Sequence, residues 1–284
     1  MRSWAARSLR KNNTGSTGEA MTISDRLVVA MPALYRPELL ATTLWSFDRG
    51  LFSGFSRRTL VLNVDPLGVD APLLSTKKSE ILALAHQYFD EVIARFTEKP
   101  SFSLAVQWIW QQAIQKETFF LHLEDDWVLN RPVPVQRVLG LLTQPGLASL
   151  RLQRQRNPHA GVSPALSLNP VFFNSTFIAQ ALPHFQTDLD PEKQFSALPL
   201  SEVLSNWKHL VVPNDPGGWV SDIGVHWRKS HGLRKVLADD RSAWEPVQIG
   251  TLSLIKNKLL LALKLFFYRW RVLFLGLFSP RARS

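Results

Sequence analysis

The chain of 284 residues contains no cysteine. Disulfides and thiolate-held metals are therefore excluded, and any metal must rest on oxygen or imidazole ligands. The absence also fits a reducing compartment. Residues 1–24 lack the apolar core of a secretory signal and show no sustained apolar period, so they read as a disordered tail. The most apolar segment, 252–278, lacks a stretch of about 18 residues free of charge, as a spanning helix would prefer. Lys264, Arg269 and Arg271 interrupt it. No internal repeat and no low-complexity segment is visible. Acids are also missing at one end: none follows Glu245.

Hydrophobic residues make up 45% of the chain and charged residues 20%. That balance predicts a folded core, and the length suits one large domain with tails rather than two full domains. The net charge of +10 is unevenly placed. Residues 1–20 carry four basic side chains against Glu19, and the stretch after Glu245 carries seven with no acid. The segment between them is balanced. A nucleic-acid binder usually spreads its basic surface over the folded domain, so no nucleic-acid partner is expected. Basic ends suit an anionic membrane surface instead.

Leu27–Met31 is a continuous apolar run ended by Pro32 and reads as a buried parallel strand. A helix is predicted over 37–48, where Pro37 suits the first turn and Leu39, Leu40, Leu44 and Phe47 recur at helical spacing. Strands over 59–64, 91–95 and 119–123 alternate with helices over 77–88 and 102–115. This β-α-β-α-β-α-β order predicts an α/β fold, an open and mostly parallel sheet flanked by helices. Farther on, 148–153 and 171–173 read as strands and 201–207 as a helix. Residues 252–278 read as a basic amphipathic helix, with Ser253, Asn257, Lys264, Tyr268 and Arg271 near one face and Leu, Phe and Trp filling most of the rest. The organisation expected is a tail over 1–24, a catalytic domain over 25–248 and a membrane-surface helix and tail over 249–284. A helix packed on the domain is the plainer alternative for 252–278.

The fourth strand runs directly into Glu124-Asp125-Asp126. Ligands of open α/β sheets bind at the carboxyl ends of the strands. In extended backbone Glu124 and Asp126 point to one side, where their charges repel unless a cation neutralises them. A hard divalent ion such as Mg²⁺ or Mn²⁺ would do so.

Val28-Val29-Ala30-Met31-Pro32-Ala33-Leu34-Tyr35-Arg36-Pro37 resembles the opening strand and loop of family 2-like glycosyltransferases with the GT-A fold. Their usual pattern is an apolar strand, Pro, a small residue, then Tyr-Asn-Arg-Pro; here the Asn is missing. Asp65 ends the second strand where that family places an Asp, and Glu124-Asp125-Asp126 stands at its Asp-x-Asp motif, with Glu at the first position. The resemblance implies a nucleotide-diphosphate sugar as donor, a divalent cation and inversion at the anomeric carbon. It implies that Pro32, Ala33, Tyr35 and Arg36 shape the nucleotide pocket and that Asp65 meets the base or ribose. Glu124 and Asp125 would hold the ribose or the metal's water, and Asp126 the metal. Asp222 falls where many members carry the His of a His-x-Gly that completes the metal site, and His226 lies four residues on; the two would share one face if their segment is helical. Glu192 would be the general base, with Asp190 and Glu202 as rivals. The acceptor would be a glycan or lipid-linked glycan, and the site cytoplasmic, peripheral at the membrane.

Each residue also has a plainer reading. Tyr35 and Arg36 suit an ordinary turn, Asp65 a turn before Pro66, and Glu192 a helix-start acid. Arg151, Arg154 and Arg156 would be a solvated face or a phosphate contact. Two other function classes share these features. A nucleotidyltransferase would carry a Gly-rich loop after the first strand, and residues 32–37 contain no Gly. A non-catalytic membrane-tethered binding protein would leave the acids without a metal.

Overall fold

The computed structural model describes residues 25–67, 69–154, 166–212, 218–238 and 241–278. The tail expected over 1–24 and Arg156 lie outside them. The chain begins with β1 (Arg26–Leu34), α1 (Pro37–Gly50), β2 (Arg57–Asp65), α2 (Leu74–Tyr88), β3 (Glu91–Phe96), α3 (Phe102–Ala113) and β4 (Phe119–His122). This is the alternation the apolar pattern predicts. There follow β5 (Trp127–Leu129), α4 (Val135–Leu142), β6 (Leu147–Arg151), β7 (Val171–Asn174), α5 (Ser175–Ala181), α6 (Leu200–Ser205), β8 (Lys208–Val211), β9 (Val220–Asp222), α7 (Gly224–Ser230), β10 (Leu233–Ala238), β11 (Arg241–Pro246) and α8 (Thr251–Phe278).

Seven strands form one sheet in the order β3-β2-β1-β4-β7-β6-β8. β1, β2, β3 and β4 are mutually parallel, and β7 runs against both β4 and β6. The fold is thus α/β, a mostly parallel sheet flanked by helices, with a C-terminal helix. β1 is central, and its alternate residues supply two cores. Leu27, Val29, Met31 and Ala33 enter one cluster, and Val28 and Ala30 the other. A central parallel strand buried on both faces must be apolar throughout, and that is why its sequence shows no alternation.

Local chemistry sets the helix starts. α1 opens with Pro37 at the first turn and Glu38 near its positive end. Ser101 caps α3 by accepting from the Leu104 amide. α2 begins three residues before the expected Lys77, because its first turn is polar and exposed and carries no apolar period. The chain order reverses between β1 and β4, so a crevice opens at the carboxyl ends of β1, β2 and β4. Leu34 and Asp65 are paired there in register.

Two additions frame the crevice. β5 pairs antiparallel with β9, setting Trp127 opposite Asp222. The hairpin β10–β11 follows α7. Among the described residues no helix is long and apolar enough to cross a membrane.

Candidate active site

A cleft of about 330 Å³ lies at this carboxyl edge, within the range of small-molecule sites. Pro32, Ala33, Leu34 and Arg36 line it from β1 and the loop after it, Asp65 from β2, and Glu124, Asp125 and Asp126 from the segment after β4. Seven of the residues expected at the nucleotide and metal therefore meet in one place. Tyr35, Glu192, Asp222 and His226 are not among its lining.

Arg36 organises the acids. Its Nε donates to Asp125 Oδ2 at 2.8 Å, and its Nη2 to Asp125 Oδ1 at 2.6 Å and to Asp126 Oδ2 at 2.8 Å. The Leu34 amide donates to Asp125 as well. Arg36 is 4% exposed, Asp125 1% and Asp126 5%. Burial on this scale would expel an isolated charge, so a forked guanidinium against two carboxylates is what keeps them together. The paired carboxylates hold the Arg36 guanidinium far above its ordinary value in spite of burial. Burial pushes the Asp125 carboxyl up, and Arg36 pulls against that rise. The guanidinium lies 5.1 Å from the Trp227 ring centre, and its Nη1 is buried with no acceptor among the described residues. A buried donor of that kind suits an anionic oxygen from a ligand.

Asp65 is also tied into the wall. It accepts from Asn63 Nδ2 at 2.8 Å, Thr97 Oγ1 at 2.7 Å and the Ser101 amide at 2.8 Å. A carboxylate offers about four acceptor positions, and these three donors leave room for one more. Tyr35 turns away, 4% exposed, with its ring 5.9 Å from that of Phe96. The loop backbone and Arg36, rather than the phenol, face the cleft.

The β5–β9 ladder carries Asp222 to the acidic segment, and the Ile223 amide donates to the Asp126 carbonyl at 2.9 Å. Burial raises the Asp222 pKa, and the charge of Asp126 raises it further, opposed by Arg228 and Arg154. The approach needs Gly224: a Cβ there would stand 1.9 Å from Asp126 Oδ2. His226 is not part of this pairing. β9 ends at Asp222 and α7 begins at Gly224, so the two do not share a helix face. The imidazole instead meets Lys264 of α8, with Nε2 at 2.5 Å from Nζ. Burial and then the Lys264 and Lys229 charges hold its pKa below the usual value.

A divalent cation fits this donor set in part. The cleft-lining side chains comprise four acids, Asp65, Glu124, Asp125 and Asp126, and two bases, Arg36 and Arg228. The surplus is negative, and a cation would offset it. Among the described residues no three His, Asp or Glu side chains gather as a metal site. Asp126 and Asp222 are the oxygen ligands at hand. Hard ions are often held by one or two carboxylates, with substrate phosphate and water completing the shell.

Glu192 stands away from the cleft lining. Its Oε1 accepts from the Leu168 amide, and it acts electrostatically on Arg151, the last residue of β6. Its rival Asp190 accepts from the Glu192 and Lys193 amides and is buried. Sequence reasoning did not single out Arg228 and Trp244, which also line the cleft. Arg228 lies 5.8 Å from the Trp244 ring centre. They come from α7 and the β10–β11 hairpin, and no local pattern tells which cleft those elements reach.

No family model and no curated protein sequence matches the chain. Solved structures do resemble its fold. A mannosyltransferase from Pyrobaculum calidifontis, in complex with GDP-Man and Mn²⁺, superposes with a TM-score of 0.51 at 9% identity, covering 93% of this chain and 77% of that one. GalNAc-T7 with UDP, GalNAc and Mn²⁺ superposes with a TM-score of 0.50 at 12% identity, covering 69% of this chain and 44% of that one. The arrangement of strands and helices is thus GT-A-like.

Proposed function

We propose that this chain is a glycosyltransferase. It moves a sugar from a nucleotide-diphosphate sugar to a hydroxyl of a glycan or lipid-linked glycan, with Mn²⁺ or Mg²⁺ and with inversion. The observation that carries the reading is the gathering of Asp65, Glu124, Asp125 and Asp126 in one cleft at the carboxyl edge of the sheet, with the β5–β9 ladder bringing Asp222 to the same segment. The solved structures of similar fold, one holding GDP-Man with Mn²⁺ and one UDP with GalNAc and Mn²⁺, support the donor class.

In this reading Asp65 and the Pro32–Leu34 backbone hold the nucleoside. Asp126 and Asp222 hold the cation, which when bound offsets negative charge on the departing diphosphate. Arg36 keeps Asp125 and Asp126 in place, and its free Nη1 offers a donor to a phosphate oxygen. Arg228 adds positive charge to the cleft lining. Glu192 is the proposed base: one oxygen holds the Leu168 amide, and the other takes the acceptor proton.

The test is a screen of nucleotide-sugars by thermal shift, with and without Mn²⁺. A fitting donor at one hundred times its Kd stabilises by about 2.7 kcal/mol, or roughly 5 °C for a chain of this size. The Asp126→Ala protein should lose the Mn²⁺-dependent part. A variant that bound the donor with unchanged metal dependence would sink the assignment.

A further inference from the structure

The terminal helix α8 is attached to the domain by its more polar side. Leu254, Asn257, Leu261, Lys264, Leu265 and Tyr268 are its buried or half-buried positions, and at about 100° per residue they form one stripe. Leu261 is the fully buried one, packed with Leu39, Val128 and Trp227. Asn257 Nδ2 donates to the Lys229 carbonyl at 3.3 Å, and Lys264 donates to His226. The opposite stripe is Leu252, Ile255, Leu259, Leu263, Phe266 and Trp270, all exposed. The usual surface helix turns its apolar side to the core and its polar side to water; α8 instead leaves its wholly apolar stripe outward and packs a mixed one of leucines, Asn257, Lys264 and Tyr268 on the domain. Eight of the twelve large apolar side chains exposed among the described residues belong to it. Contiguous apolar surface of this kind marks an interaction site.

We infer that this outward stripe docks the protein on an anionic lipid surface. Charge selects the occupant. Lys256, Lys258 and Arg269 are exposed on α8, and the sequence beyond Glu245 has seven basic residues and no acid. A second copy laid on this face would bring cations against cations, whereas an anionic bilayer complements them. Long basic side chains can bury their stems along lipid and keep their charges at the headgroups. The helix of 28 residues is about 42 Å long, and its charges keep it in the interface rather than across the bilayer. The inference stands apart from glycosyl transfer, because docking needs neither donor nor metal.

Flotation of the full chain with vesicles tests it. The protein should float with a three-to-one mixture of phosphatidylcholine and phosphatidylglycerol, and at least tenfold more weakly with phosphatidylcholine alone. Leu259→Glu with Leu263→Glu should reduce partitioning more than tenfold. Lys256→Gln, Lys258→Gln and Arg269→Gln should each reduce it about fivefold. These side chains face outward, so the urea midpoint should stay unchanged. If the double glutamate variant proved unstable, the three charge variants would carry the test alone. Failure of the full chain to float, flotation indifferent to these changes, or a dimer in light scattering that the glutamates dissolve without any vesicle binding, would each overturn the inference.

Discussion

His122 sits in β4, two residues before Glu124, wholly buried against Trp110 and Phe173. Trp110 Nε1 donates to its Nδ1 at 3.2 Å, and its Nε2 has no partner among the described residues. Burial pushes its pKa down to about 3, against 6.5 for an exposed imidazole. The folded state then binds fewer protons than the unfolded state across the window between those values. Stability therefore rises with pH through the window and falls on acidification. From pH 7 to pH 5 only the unfolded chain takes up this proton, and the loss from His122 alone is about 2 kcal/mol. The perturbation is His122→Leu. It strands the Trp110 N–H, a penalty of about 1–3 kcal/mol, and removes a stranded Nε2–H, so its net effect at pH 7 is small. The diagnostic quantity is the pH slope. Urea unfolding at pH 7 and pH 5 should show the natural protein losing about 2 kcal/mol more than the variant. Every other histidine is common to both proteins and cancels in that difference. Equal slopes would refute the reasoning and mean that the buried imidazole reaches a proton acceptor or water.

Other outcomes follow from the site. Arg36→Met strands the Asp125 and Asp126 carboxylates and should cost about 3–5 kcal/mol by urea unfolding, while adding Asp125→Asn should recover part of that loss. Gly224→Ala drives a methyl group into Asp126 Oδ2; we expect about 1–3 kcal/mol of destabilisation and loss of Mn²⁺-dependent donor binding in a thermal-shift titration. Glu192→Gln should lower kcat about a hundredfold or more, as loss of a general base does, with donor affinity unchanged, measured as sugar transfer at saturating donor. Unchanged turnover would remove Glu192 from the base role.

The first half of the fold was legible because β1 to β4 are short apolar runs that stop at Pro32, Asp65 or the acidic segment. Their alternation with helices admits few topologies. The acids at the end of β4 were legible for the same reason. Arg36 lines the cleft, but its partnership with Asp125, 89 residues away, leaves no trace in spacing. The pairing of Asp222 with His226 rested on a helical i, i+4 relation, and a strand end intervenes between them. The period of α8 revealed two faces without telling which one meets the domain. That choice was made by Leu261 and by the polar contacts to α7, which lie far away in sequence.

Trp227 joins that last helix to the cleft. Its indole donates to Glu38 at 3.1 Å, stacks on His231 at 4.1 Å between ring centres, underlies Arg36 and touches the cluster containing Leu261. One aromatic ring is thus the back wall for the guanidinium and the floor for α8. A protein shortened before residue 251 would keep every cleft residue yet open that wall to water, and the clamp on Asp125 and Asp126 would loosen from behind.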